Sequence, residues 1–171
     1  PEQMAEVAPY IELGQKLGSF QGQLAQGRID TVEVEYSGEV AELKVAAITI
    51  AVLKGILEPV RESVNLVNAS HIAQELGIKV IESKVARSTD FASAVTVRVK
   101  GVTDRLVAGA VFHGRQPRIV RIDDFMLEAI PDGCTLLLHN HDQSGVVGTV
   151  GMILGNAGIN ISRMQLALHE S

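Results

Sequence analysis

The segment LLLHNHDQSG, residues 136–145, is followed by GTVGMILGNAGINI, residues 148–161, and together they predict a strand, a turn, a helix and a second strand. Residues 136–138 are an apolar run of strand type, Gly145 marks the turn, and Gly158 ends a short amphipathic helix. Polar side chains lie where the first strand ends. This pattern indicates a sensor of a small ligand rather than an active site.

Three polar residues of this segment are the candidate ligand contacts. Asn140 and Asp142 are two apart, so on a strand they project to the same side, and Asn160 opens the second strand. The Asp142 carboxylate suits the ammonium of an amino acid, and the amides of Ser144 to Val146 at the helix start suit its carboxylate. The alternative is that Asp142 only caps the helix and Asn140 only ends the strand.

Composition restricts the function classes. A net charge of −5 and a pI near 5.5 argue against a nucleic-acid surface, which needs a dominant positive face. The lone Cys134 can form neither an internal disulfide nor a thiolate metal site. The longest apolar run, residues 45–53, is too short to cross a bilayer, and no signal peptide opens the chain, so we expect a cytoplasmic protein without membrane contact.

Metal binding and nucleophilic catalysis find little support in the sequence. His139 and His141 would share a strand face, but no third ligand is forced to lie beside them. The other histidines are scattered, at positions 71, 113 and 169. Cys134 has no obvious activating base nearby. We therefore predict no metal site and no catalytic residue in this chain.

The first 27 residues predict an amphipathic helix, with Pro9 favouring a helix start at that position. Gly14, Gly18 and Gly22 recur every fourth residue and would allow another element to approach closely. Simple internal packing is the favoured interpretation, and a dimer seam is the alternative. We treat residues 1–27 as a helical segment separate from the domain that follows.

Residues 28–131 predict an α+β domain with a mostly antiparallel sheet, and Pro131-Asp132-Gly133 supplies a turn at its end. Val95, Val97 and Val99 show the strand period of two without ambiguity. Helices are predicted at residues 42–57 and 65–76, and strands at residues 28–37, 78–84, 93–100, 105–112, 118–122 and 126–130. Residues 132–171 then begin a second domain.

A basic set within the α+β domain is a second candidate site, because guanidinium groups bind phosphate or carboxylate bidentately. Arg118 and Arg121 are three apart, so we expect them on opposite faces of their strand, and a merely solvated surface is the favoured alternative. The members of the set are Arg98, Lys100, Arg115, Arg118 and Arg121.

Several short runs, taken in order, resemble the C-terminal regulatory region of long-form D-3-phosphoglycerate dehydrogenase. They are KLG at residues 16–18, YSG at 36–38, LVNA at 66–69, LGI at 76–78, VRI at 120–122 and the tail 139–161. The resemblance implies an intervening "allosteric substrate binding" domain, whose basic residues would bind an anion. It also implies that the tail is the first β-α-β unit of a ferredoxin-like ACT domain.

The resemblance further implies a homo-oligomer that takes part in the first step of L-serine biosynthesis. L-serine, the end product of that pathway, would bind at Asn140, Asp142, Gly145, Val146 and Asn160. Ser144 replaces the proline that the family usually has there. The family's catalytic residues and its NAD-binding glycine motif have no counterpart in this chain, so NAD would be bound by another part of the parent oxidoreductase. Two alternatives stay open: regulatory domains of an iron–sulfur L-serine dehydratase, and a stand-alone oligomerising module that binds an amino acid.

Overall fold

The computed structural model describes residues 2–87, 91–113 and 115–167 of the chain. Its residues fall into two compact units. The first comprises the described residues up to Pro131 together with Ala167, and the second comprises residues 132–166. None of the helices in the described ranges combines the length and the apolar character that crossing a bilayer requires.

The described residues of the first unit form three helices and a six-stranded sheet, which confirms the predicted α+β class and the mostly antiparallel pairing. In chain order the elements are α1 (Glu2–Leu24), β1 (Ile29–Gly38), a 3-10 turn (Glu39–Glu42), α2 (Ala46–Leu57), α3 (Ala69–Glu75), β2 (Lys79–Val85), β3 (Ser93–Gly101), β4 (Asp104–Phe112), β5 (Gln116–Ile122) and β6 (Phe125–Ala129). The strand order across the sheet is β2-β1-β3-β4-β5-β6. Of the strands in the described ranges, β1 and β2 alone pair in parallel, and α2 and α3 connect them.

Helix α1 begins at Glu2, so the prediction of a start at Pro9 is wrong. Proline removes one i→i−4 hydrogen bond but does not end this helix. The contacts of α1 with the rest of the first unit explain why the helix persists, because Val7, Leu13 and Leu17 are fully or almost fully buried. Tertiary packing outweighs the local cost of the proline.

The glycines of α1 lie against α2. A Cβ placed on Gly18 would stand 2.1 Å from the Val52 carbonyl oxygen, and one on Gly22 would stand 2.4 Å from that of Ile56. Gly55 has the same role on α2, because a Cβ there would stand 2.3 Å from the Gln15 carbonyl oxygen. Glycine on both helices therefore lets the two backbones approach, as the internal-packing interpretation predicted.

One face of the sheet carries the core of the first unit. Val32, Val34 and Tyr36 of β1 are completely buried, and so are Val95 and Val97 of the neighbouring β3. The period of two predicted for these strands holds from Val32 to Tyr36 and from Val95 to Val99. Helix α1 packs against this face at Gly109, where a Cβ would stand 2.6 Å from the Leu13 side chain.

Gln21 fixes α1 to the sheet through polar contacts. Its side chain is 1% exposed, and its Nε2 donates to the carbonyl oxygens of Val97, at 2.8 Å, and Arg105, at 2.9 Å. A buried amide is stable only with such partners. This single polar residue of the helix face thus links α1 to β3 and β4 at once.

The second unit contains helix α4 (Val146–Asn156), which confirms the helix predicted there. Gly158, with φ +72°, ends it, and the Ile159 amide bonds back to the Leu154 carbonyl at 2.9 Å. The two flanking strands predicted at residues 136–138 and 159–161 are not formed in the described residues. A strand requires a hydrogen-bonded partner as well as an apolar run, and no described residue supplies one.

Candidate functional site

The start of α4 presents three unpaired amides. Gly145 precedes the helix with φ +91°, a conformation that glycine adopts without strain. The first helical bond runs from the Thr149 amide to the Gly145 carbonyl at 2.9 Å, so the amides of residues 146–148 precede it. The Thr149 hydroxyl donates to the same carbonyl at 2.9 Å. This end of the helix carries a partial positive charge that favours a carboxylate.

Asp142 is exposed and does not cap α4, since no side chain accepts a hydrogen bond at the helix start. The alternative interpretation of Asp142 as a cap is therefore not what the structure shows. The Asn140 side-chain amide donates to the His141 carbonyl at 2.8 Å. Asn160 is exposed directly after the glycine that ends the helix. Among the described residues no hydrogen bond joins any two of these three side chains.

The strand argument for Asn140 and Asp142 needs correction. Their predicted projection to one side rested on a strand through residues 136–142, and the structure has no strand there. A carboxylate and several amide donors are nevertheless close in the chain. Within seven residues lie Asp142, the Gly145 turn and the free amides of α4. A carboxylate and a set of amide donors are thus available without a competing partner in the described residues.

The basic set of the first unit lies on the sheet face opposite the helices. Arg98 and Lys100 are on β3, and Arg118 and Arg121 are on β5. The expectation that Arg118 and Arg121 point to opposite faces is wrong. β5 pairs Arg118 with Ala110 and Arg121 with Ala108, so a bulge at Val120 adds one residue and returns both arginines to one face.

Acidic partners accompany four members of this set. Arg115 lies in the turn before β5 with φ +63°. The ion pairs are Arg98–Asp104 at 3.2 Å, Lys100–Glu33 at 2.6 Å, Arg118–Glu128 at 3.6 Å and Arg121–Asp124 at 3.9 Å. An anion that binds here would have to compete with these carboxylates. Ala108 and Ala110, which pair with Arg121 and Arg118, are buried in a small cluster with Val120.

Sequence reasoning did not identify a groove of about 420 Å³ between α2, α3 and β2. Thr49, Gln74 and Glu82 are among its lining residues. Behind it the buried Tyr36 hydroxyl lies 2.7 Å from Thr49 Oγ1. Burial raises the pKa of Tyr36 above its ordinary value, the Thr49 hydrogen bond lowers it, and the charge of Glu82 adds to the rise. Val80 and Glu82 of β2 line this groove.

No group of three or more histidine, cysteine, aspartate or glutamate side chains in the described ranges could hold a metal ion. The candidate His169 lies outside the described residues. Cys134 is a free, exposed thiol.

A family model matches most of the first unit. The model describes the "D-3-phosphoglycerate dehydrogenase intervening domain", and the match covers residues 6–123. It therefore includes most of α1, the whole of β1 to β5 and the basic set.

Curated relatives match almost the full chain. D-3-phosphoglycerate dehydrogenase of Synechocystis sp. is 35% identical over 97% of this chain and 30% of its own length. The enzymes of that name from Bacillus subtilis and Methanocaldococcus jannaschii are each 33% identical over 99% of this chain, and over 33% and 32% of their own lengths. The chain thus spans about a third of the length of these relatives.

Proposed function

Since this chain belongs to the D-3-phosphoglycerate dehydrogenase intervening-domain family, we propose that it is the regulatory part of an NAD-dependent enzyme of that activity. In this role it would sense L-serine through the second unit and support self-association in the cytoplasm. Each relative named above is a dehydrogenase, which favours this parent over the iron–sulfur dehydratase. The family match likewise favours it over a stand-alone module.

We do not assign oxidation of the substrate to the residues described here. A dinucleotide site needs a glycine-rich turn between a strand and a helix. Gly14, Gly18 and Gly55 instead lie inside helices that pack against each other. NAD and the catalytic residues would therefore belong to a part of the dehydrogenase that this chain does not cover.

The geometry at the start of α4 carries the proposal for the effector. Asp142 would accept hydrogen bonds from the ammonium of serine, and the free amides that follow Gly145 would donate to its carboxylate. Val146 would contribute one of those amides. Asn140 and Asn160 are the side chains that could recognise the hydroxyl. Because Asp142 makes no hydrogen bond or ion pair with other described residues, binding would not have to break an internal bond.

Regulation requires that serine bind two states of the parent enzyme with different affinities. A coupling free energy of about 1–3 kcal/mol is typical for such an effector. Ordering of the second unit by serine would supply this difference, since α4 has no buried residue. Serine would then stabilise one arrangement of the unit at the expense of the others.

The test is calorimetric titration of the chain with L-serine, with D-serine as the stereochemical control. We expect Asp142→Asn to abolish serine binding while the circular dichroism spectrum and the melting temperature stay unchanged. The matched control is Asp30→Asn, which removes an exposed carboxylate from the first unit, where it pairs with Arg28 at 3.0 Å. Equal serine affinity in the wild type and in Asp142→Asn would refute the assignment of this site.

A second function is favoured by the bulge at Val120, which gathers Arg118 and Arg121 with Arg98 and Lys100 on one sheet face. We propose that this face binds a phosphate-bearing anion, with Arg115 at its edge. Titration with inorganic phosphate should show a dissociation constant raised about tenfold in Arg118→Gln/Arg121→Gln, because two guanidinium donors are lost. Arg61→Gln, an exposed arginine outside the sheet, should bind as the wild type does. Equal phosphate binding in both variants would contradict the proposal.

A further inference from the structure

Strand β2 is one of the two edges of the sheet. It pairs with β1 along one side, and no described strand pairs with its other side. A strand edge of this kind presents unpaired amides and carbonyls, and proteins usually protect it or use it for association. Six of its seven residues are exposed, and Ile81 is half-buried.

The two faces of β2 differ. Its register with β1 places Val80, Glu82 and Lys84 on the face that carries the helices, opposite Val32, Val34 and Tyr36. Ile81, Ser83 and Val85 therefore lie on the other face. Val80 is 37% exposed and Val85 is 40% exposed. The strand thus offers apolar side chains on both faces to a neighbouring strand.

The charges of β2 have no internal partners of opposite sign in the described residues. Glu82 takes part in none of their ion pairs. Lys84 donates to the Leu43 carbonyl at 3.2 Å and lies on the same face as Glu82. By contrast, Glu128 on the opposite edge strand β6 already pairs with Arg118 at 3.6 Å. β2 is therefore the edge with charge available for a partner.

The sequence of β2 is complementary to itself in one antiparallel register. If Ser83 faces Ser83 of a second copy, Glu82 faces Lys84 twice and Ile81 faces Val85 twice. Such cross-strand pairs are stabilising for opposite charges and for apolar residues. The same register places Lys79 opposite Arg87, but Arg87 lies beyond the end of β2, whereas a register centred on Glu82 would oppose two carboxylates within the strand.

We propose that two copies of this chain associate by antiparallel pairing of their β2 edges about Ser83, which continues the sheet across a two-fold axis. The interface is isologous, because each copy contributes the same strand. The groove between α2, α3 and β2 opens beside it through Val80 and Glu82, which leaves the helix-side face of β2 accessible. This inference specifies the self-association of the proposed function and does not depend on serine binding.

The first test exchanges the charges. Analytical ultracentrifugation of the whole chain should show a dimer dissociation constant raised roughly tenfold by Glu82→Lys and by Lys84→Glu, since each places like charges opposite one another twice. The double variant Glu82→Lys/Lys84→Glu should recover the wild-type value. Glu75→Lys, the same charge change on the exposed side of α3, should leave it unchanged.

The second test fixes the register by a disulfide. In a Cys134→Ser background, Ser83→Cys should form a covalent dimer on mild oxidation, because residues directly opposite in antiparallel strands lie within about 4.5–5.5 Å. Lys79→Cys, which would face Arg87, should not. A dimer whose dissociation constant does not change on charge exchange, and which forms no Ser83→Cys disulfide, would overturn this interface but not self-association itself. A chain that is monomeric at every concentration would overturn both.

Discussion

Helices α1 and α4 each carry three glycines on one side, but only those of α1 lie against another helix. A Cβ on Gly18 would collide with the backbone of α2. A Cβ on Gly148, Gly151 or Gly155 of α4 would meet nothing within 4 Å. A row of three glycines therefore lies at a helix–helix contact in the first unit and on an uncovered helix in the second.

The difference extends to the apolar side chains around these glycines. Eight of the twelve residues of α2 are buried, whereas none of α4 is. Met152 and Ile153 of α4 are 67% and 62% exposed. A helix of such apolar composition is stable in water only when it packs against another surface. The first unit thus supplies a packing surface for its apolar helix, whereas the apolar side chains of α4 stay exposed among the described residues.

The largest difference in stability should come from the same glycine-to-alanine substitution made in α1 and in α4. Gly18→Ala should lower the free energy of unfolding by about 3 kcal/mol, because its Cβ meets backbone that cannot move without separating α1 from α2. Gly151→Ala should cost nothing and could stabilise α4 by up to about 1 kcal/mol, the difference in helix propensity. Urea unfolding followed by circular dichroism measures both.

Gly14→Ala gives the intermediate case for this comparison. Its Cβ would stand 3.0 Å from the Ile48 side chain and carbonyl oxygen, a contact that smaller shifts can relieve. We expect a loss between those of Gly18→Ala and Gly151→Ala. If Gly18→Ala were as stable as the wild type, the close approach of α1 and α2 would not be the basis of the first unit's stability.

The fold of the first unit was largely predictable because its strands alternate. Val95, Val97 and Val99 specify one buried face, and the structure places them there. The bulge at Val120 could not be predicted, since consecutive Ile119 and Val120 are both apolar and conceal the extra residue. A hidden bulge inverts the parity of every residue beyond it, and the faces of Arg118 and Arg121 were therefore predicted wrongly.

The candidate site of the second unit was predictable only in part. Gly145, Gly158 and the helix between them follow from local rules of turn and capping, which depend on a few neighbouring residues. Strand formation by residues 136–138 depends on a pairing partner that lies far away in sequence or in another chain. Local pattern therefore predicts α4 well and the relation of Asn140, Asp142 and Asn160 poorly.

The smallest effect that sharpens the comparison concerns a polar pair inside the first unit. Tyr36 and Thr49 are both buried, and their hydroxyl groups are hydrogen-bonded at 2.7 Å. By contrast, Asp142 of the second unit is exposed and makes no hydrogen bond with other described residues. Tyr36→Phe should lower the free energy of unfolding by about 1 kcal/mol, the net value of one buried hydrogen bond. Asp142→Asn should leave it unchanged.

The pH dependence separates the Tyr36 hydroxyl from packing effects of the same substitution. Because burial raises the pKa of Tyr36 in the folded chain, its contribution is fully present below the unfolded value of about 10 and is lost as the pH rises above it. The wild type should therefore lose stability between about pH 10 and pH 12 more steeply than Tyr36→Phe. Thermal unfolding at half-unit pH steps measures the two slopes, and Tyr10→Phe controls for the other tyrosine. Parallel slopes for the wild type and Tyr36→Phe would mean that the hydroxyl ionises as readily in the folded chain as in the unfolded one, and the buried Tyr36–Thr49 pair would then not distinguish the first unit from the second.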